Sequence, residues 1–519
     1  MISRKIAKSI VLLTGLLFTL SGVSWSASGI RLFDNKVIIH GKISEQWMVR
    51  TNSLQPWEHD GPLEDYDIFH ARTTLKLETM FRLYQGPKYE FNIYGVWKNF
   101  YDAAHDIDSG YEHNLRTMSG SEGLRLMKSY ETFRDICREM YAEVIHDQFQ
   151  LRIGKQIVSW GETSVARMTD IVNPVDLRGN LNPAYPDFAE IKRGLWMMRL
   201  FYTPANMPMD MTFEFLVIPD FEPDHVYSQG YHLSHSKGAQ FMANAQEAVM
   251  GIYRDTPKNT WTHPEVGLRI RGFAYGFDWT LFYFHHRADA PTVKTGRVLY
   301  TQLAPVFDLR NEHNYKYGWQ DSIGFTFNKT IDKKIFIIPG TTLAMSGIIL
   351  KGEFLAELGK DYTAMMPNAY QLSARKDINR YAFALGWDCK IFIPGLTPWA
   401  RNKLLSSSTQ LFMEWAPSRH RMDMLYPWYA PPTPDFRQKG HHWSMITQSF
   451  NYELWNGRIL PGFYWAHHIP EGSGYYAPAV GFKPTFSWTF LIRYLNYYGY
   501  PPEYVNHLDS LTFEITYEF

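Results

Sequence analysis

From about residue 37 to the last residue, apolar and polar side chains alternate one by one in stretches of roughly 8 to 13 residues, and helical spacing is nearly absent. Such alternation is the signature of a strand with one apolar and one polar face. It is clearest at the end of the chain, where Leu511, Phe513, Ile515, Tyr517 and Phe519 oppose Thr512, Glu514, Thr516 and Glu518. Thr73, Leu75, Leu77, Thr79 and Phe81 likewise oppose Arg72, Thr74, Lys76, Glu78 and Arg82. Beyond a turn over Tyr84–Lys88, Tyr89, Phe91, Ile93 and Trp97 oppose Glu90, Asn92, Tyr94 and Lys98. Val266, Leu268 and Ile270 lead through a turn at Gly276 to Phe277, Trp279, Leu281 and Tyr283. The pattern predicts eighteen strands, beginning near 37, 71, 89, 135, 149, 195, 211, 264, 277, 316, 347, 379, 409, 442, 459, 475, 487 and 509, with sixteen as the alternative count.

Alternation alone does not choose between a soluble sandwich, whose apolar face is the core, and a membrane wall, whose apolar face is the outside. The connections do. Short turns alternate with long polar stretches, near 50–70, 102–134, 160–194, 219–263, 288–315, 359–378 and 417–441. Aromatics such as Tyr84, Tyr89, Trp97, Tyr101, Tyr275, Tyr283, Trp455, Trp465, Tyr494 and Tyr497 fall near predicted strand ends, where two interfacial girdles would need them. A sheet in lipid must also close, because an open edge strands unpaired backbone N–H and C=O groups. The expectation is therefore an all-β fold: a closed antiparallel transmembrane β-barrel of about 18 strands, with short periplasmic turns and long extracellular loops. Its lumen would be too wide for wall side chains alone to fill.

The first residues give the destination. Arg4, Lys5 and Lys8 precede an apolar run over Ile10–Leu20 and a small-x-small site at Ser24-Trp25-Ser26, the layout of a secretory signal peptide. Residues 1–26 are thus expected to be a leader for the general secretory pathway, and 27–519 a single barrel domain in the cell outer membrane. The few residues before Val37 leave no room for a plug domain. Lys and Arg number 52 and Asp and Glu 52, a balance that argues against a nucleic-acid partner. Phe, Tyr and Trp make up 16% of the chain, well suited to a lipid-facing wall. Cys137 and Cys389 are expected near opposite strand ends and unbonded. The pairs His232/His235, His285/His286, His441/His442 and His467/His468 do not form a metal site, since neighbours in a strand point to opposite faces. No metal or other cofactor is expected.

The run Leu151-Arg152-Ile153-Gly154-Lys155-Gln156-Ile157-Val158-Ser159-Trp160-Gly161-Glu162, then Asn173-Pro174-Val175-Asp176-Leu177 and Ile218-Pro219-Asp220-Phe221-Glu222-Pro223, resembles a porin-like group of Gram-negative outer-membrane proteins catalogued as a domain of unknown function. The resemblance runs along nearly the whole mature chain. It implies a barrel and the passage of small or hydrophobic compounds, and it brings no catalytic residues. Tyr517 and Phe519 look like the C-terminal signal read by the barrel-assembly machinery during biogenesis.

The stretch 160–194 carries Glu162, Arg167, Asp170, Asp176, Arg178, Asp187, Glu190, Lys192 and Arg193, stiffened by Pro174, Pro183 and Pro186. Folded inward, it would narrow the lumen and face Arg72, Lys76, Arg152, Arg269 and Arg271 on the wall, and opposed charges in a narrow pore set ion selectivity. Glu162, Asp170, Asp176 and Arg178 are the loop's candidates for that role. The alternative is a solvated cap over the mouth. The leading function is passive passage of small solutes, including hydrophobic or organic compounds. A barrel-scaffold hydrolase and an outer-membrane part of an export system are the alternatives, although neither G-x-S-x-G nor H-E-x-x-H occurs. A non-enzyme is expected, in contact with outer-membrane lipid and lipopolysaccharide and compatible with a homo-oligomer.

Overall fold

In the computed structural model, the alternating stretches become eighteen strands that pair antiparallel in chain order. It describes residues 29–51, 67–163, 168–176, 178, 188–225, 257, 260–290, 292–293, 295–300, 305–308, 315–331, 336–337, 344–365, 371–392, 404–421, 439–469, 472–499 and 509–519. The strands are β1 (Val37–Arg50), β2 (Ile68–Gln85), β3 (Tyr89–Asp102), β4 (Cys137–His146), β5 (Phe149–Gln156), β6 (Leu195–Tyr202), β7 (Thr212–Ile218), β8 (Glu265–Ala274) and β9 (Phe277–Arg287). The second half of the ring is β10 (Trp319–Ile331), β11 (Ala344–Met365), β12 (Gln371–Phe392), β13 (Leu404–Arg421), β14 (Lys439–Asn451), β15 (Ile459–His468), β16 (Ser473–Phe482), β17 (Trp488–Tyr498) and β18 (Ser510–Glu518). β18 then pairs with β1, from Arg50↔Ser510 to Lys42↔Glu518, so the sheet has no free edge. A closed ring satisfies every wall strand on both sides, which an open sheet in hydrocarbon could not do.

Cross-strand register sorts the two faces. Phe325 pairs with Phe354, Phe354 with Phe383 and Phe383 with Met413, a belt of side chains each roughly two-fifths exposed on the outside of β10–β13. One residue along, Thr326, Glu353, Ala384 and Phe412 form the matching row inside, all nearly fully buried. An apolar belt of this extent is costly against water and free of cost against lipid tails. Among the described residues no helix is long and apolar enough to cross a membrane.

The seam is closed by the last residue. Phe519 and Gly41 exchange two backbone hydrogen bonds of 2.8 and 2.9 Å. The Phe519 ring lies over Gly41 so closely that a Cβ there would come within 2.0 Å of it. A short strand, Ile30–Leu32, continues the pairing on β1 below the end of β18. This end of the barrel, with the seam and the tight turns at 86–88, 147–148 and 275–276, is the turn end, and the opposite one is the loop end.

Two expectations about connections are revised. The stretch 359–378 is not mainly a loop, because β11 and β12 each run for 22 residues and project beyond the neighbouring strands as a long ribbon, with bulges around Lys360. The 102–134 connection is helical, with α1 (Ala104–Ile107), α2 (Ser109–Lys128) and α3 (Phe133–Ile136). Asp108 caps α2 by accepting from Gly110 N and Tyr111 N, while Gly120 at φ 68° breaks it midway. Tyr111, Leu115, Leu124 and Met127 of α2 are buried in one apolar cluster with inner-wall Phe412, Trp443, Tyr464 and Tyr497. The expected leader, 1–26, lies outside the described residues.

Candidate functional site

The connection between β5 and β6 runs inward. Gly154, at φ 140°, opens it, and a Cβ there would strike Met140 O at 2.3 Å. Lys155 turns its ammonium onto the carbonyls of Arg134 in α3 and Cys137 at the start of β4. Gln156 donates to Met197 O across to β6. Asn173 then ties the loop to itself: its Oδ1 accepts from Val158 N at 2.6 Å and its Nδ2 donates to the carbonyls of Gln156 and Arg193. A single side chain thus holds both ends of the excursion together.

One bank of the loop sits against β2–β4. Glu190, in the short helix α4 (Phe188–Ile191), takes Lys76 of β2 and Lys98 of β3, each at 2.8 Å. Arg138 of β4 donates to the carbonyls of Glu190 and Lys192. Arg72 of β2 donates to Arg178 O at 2.7 Å and pairs with Asp102, which also holds His70. The far bank is on β8, β9 and β11. Trp160 packs on Phe282 and Phe284 of β9, with ring centroids at 4.8 and 5.7 Å, beneath Gly267. The Glu353 carboxylate of β11 accepts from the backbone of Glu162, Thr163 and Thr169 and from Thr169 Oγ1. β2 and β11 stand nine strands apart in a ring of eighteen, so these contacts lie on opposite walls and the loop crosses the lumen between them.

Beside the β2–β4 bank the loop carries an ionic cluster. Asp176 accepts from Arg178 Nε and Nη2, both at 2.9 Å, and from Arg193 at 3.3 Å. Asp135 of α3 accepts from Arg178 and Arg193, and Glu222 pairs with Arg193 and Arg134. Burial by itself would raise the Asp176 and Asp135 carboxyls, but the two arginines hold both far below the ordinary carboxylate range. Lys98 and Lys76 overcome burial at Glu190 in the same way. Burial, followed by Arg193 and Arg178, pushes the His225 imidazole well below its usual value. Asp135, Asp176 and His225 bring potential ligand atoms within 4.8 Å of one another, yet the cations they hold are the two guanidinium groups.

The remaining predicted wall residues gather on β5–β8. Arg152 pairs with Glu143 at 2.7 Å, and Arg199 and Arg269 share Glu214 at 2.8 and 2.7 Å. Arg269 also lies over Trp160. Asp170 is taken by Lys192 and accepts from Trp160 N. Arg271 and Glu162 are solvent-exposed. Partial desolvation inside the lumen, then the neighbouring Glu353 carboxylate, raises the Glu162 carboxyl against the weaker pull of Arg271 and Lys351.

Residues 21–519 match the family described as a protein of unknown function, DUF1302. The chain belongs to that family. No curated protein matches it. Among solved structures, it is similar to OccAB4 of Acinetobacter baumannii (10% identity, 93% of this chain and 98% of that one, TM-score 0.48) and OccK9 (OpdG) of Pseudomonas aeruginosa (8%, 94% and 98%, 0.48). It is also similar to OmpF of Salmonella typhi in complex with daunomycin (8%, 94% and 100%, 0.42). The barrel itself is established by the strand register. Gly154-Lys155-Gln156, Trp160-Gly161-Glu162 and Asn173-Pro174-Val175-Asp176, on which the family resemblance was read, all lie in the crossing loop or at its root.

The structure gathers Arg72, Lys76, Asp170, Asp176 and Arg178 into loop anchorage, pairs Arg152 and Arg269 with wall carboxylates, and leaves Glu162 and Arg271 exposed. Asp176 and Arg178 are 0% and 2% exposed, too deep to meet a solute. Sequence reasoning did not single out Glu353, Asn173 or Asp135 as anchors, and Arg167 and Asp187 lie outside the described residues. The histidine pairs divide between the faces: His285 stacks on Trp319 and pairs with Asp321, whereas His286 turns in to Ser322 and Gln320. His232 and His235 lie outside the described residues. Cys137 and Cys389 are free and buried.

Proposed function

We propose that this protein is an outer-membrane channel for passive passage of small solutes, with the loop 157–194 as the narrowing of its lumen. The observation that carries the reading is the loop's anchorage on opposite walls, at Lys76 and Lys98 on one side and Glu353 on the other. A segment held this way divides the cross-section and forces a solute past whatever charges remain open. Those include Glu162 on the loop and Arg271 on the wall, both solvent-exposed, so these two, rather than Asp170 with Asp176, set ion preference. The apolar belt meets lipid and lipopolysaccharide, the barrel-assembly machinery reads the end at Tyr517 and Phe519, and no chemical step is assigned to the chain.

The test is single-channel recording of the purified protein in planar bilayers. Discrete steps are expected, with conductance rising when residues 160–170 are replaced by a short Gly/Ser link. Glu162→Gln should move the reversal potential in a salt gradient toward anion preference. Unaltered conductance in the loop replacement would remove the constriction, and failure to form any steps would remove the channel.

A further inference from the structure

A cavity of about 310 Å³ opens on the inner wall between the turn end and the crossing loop. Its charges fall into two sets. Glu214, Arg199 and Arg269 neutralise one another in a buried triad. Arg271 and Asp278 share the cavity but, among the described residues, neither side chain has an ion pair or hydrogen bond. The register explains why. Arg271 pairs across the ladder with Thr280, and Asp278 with Phe273, so the two charges are diagonal neighbours on one face. Diagonal positions in an antiparallel pair lie about 7–8 Å apart, a span a long side chain can cross, yet here the two charged ends stay apart and leave room for a bridging group. Asp210, in the β6–β7 turn, adds a second carboxylate at the rim, and Phe273, 47% exposed, offers an aromatic face beside them.

We infer that this cavity binds a small zwitterion, its carboxylate on Arg271, its ammonium on Asp278, and an apolar body against Phe273. An unpaired cation and an unpaired anion on one wall fit a solute that carries both charges, and a singly charged one leaves a wall charge unanswered. The inference rests on the channel reading for its biological sense, but it is measurable without it.

The probe is L-phenylalanine, with phenylacetate and phenethylamine as analogues of one charge each, titrated calorimetrically into the full-length mature protein in detergent. L-phenylalanine is expected to bind about tenfold more tightly than either analogue, the worth of one charge-assisted hydrogen bond. Arg271→Gln and Asp278→Asn should each lower its affinity by about tenfold, and Asp278→Asn should improve phenylacetate, with folding checked by heat-modifiable gel mobility. Phenylacetate binding the unaltered protein as tightly as L-phenylalanine would make the cavity an anion site and overturn the inference. So would variants that stay within twofold, or no heat of binding at all. Channel steps without L-phenylalanine binding would sink this site alone, whereas binding without channel steps would sink the channel and spare the site.

Discussion

Glu353 shows how much a single buried carboxylate can fix. Its two oxygens accept from three backbone N–H groups and one hydroxyl of a segment more than 180 residues away in sequence. Glu353→Gln replaces one acceptor oxygen with an NH₂ donor, which then faces loop donors; an unmade buried hydrogen bond costs about 1–3 kcal/mol. The far bank of the loop should loosen, seen as increased open-channel current noise, and quiet recordings would contradict the role given to this residue. Trp160→Ala removes the packing on Phe282 and Phe284, a change worth roughly 3–5 kcal/mol in a close-packed core. The expected result is rapid protease cleavage within the loop while the barrel stays intact.

At the scale of the element, the loop's stability is tied to pH through Asp135, Asp176 and Glu190. Each has a folded-state pKa held below its ordinary value, so each contributes stability in full above the usual carboxylate range near 4 and loses it as pH falls toward the depressed folded value. Hydrogen exchange across 168–176 and 188–194 should therefore be slow and unchanging from pH 8 to 5, after correction for intrinsic rates, and should accelerate below about 4. Exchange that accelerated instead between pH 6 and 8 would point to another group. Little of this anchorage was legible in the sequence. The loop's charges and prolines could be read locally, but its direction could not, their partners come from β2, β3, α3 and β11, and no spacing rule links Glu353 to Thr169. Helix α2 escaped for another reason: Gly120 breaks its period, and the buried Tyr111, Leu115, Leu124 and Met127 are diluted by glycine and charge.

The wall of the whole molecule was the most legible part. Period-two alternation is imposed by the pleat and by two contrasting surroundings, so it survives in each strand separately. The predicted starts at 37, 89, 149, 195, 277 and 459 coincide with the observed ones. Those of β11, β12 and β13 fall 3 to 8 residues late because these strands begin beyond the region where alternation is enforced. At this scale the seam is the sensitive place. Gly41→Val would drive a branched side chain into the Phe519 ring, and the variant should accumulate as unfolded chain that shows no heat-dependent shift in gel mobility. A normally folded variant would show that the ring has somewhere else to go.

The order in which a cell delivers this chain follows from that seam. The first wall strand emerges early and keeps one row of amides and carbonyls waiting, while its partner is made of the final ten residues. Until β18 arrives to take up that row, the growing sheet keeps an open edge of unmet backbone groups, and a chain without β18 would carry that edge permanently.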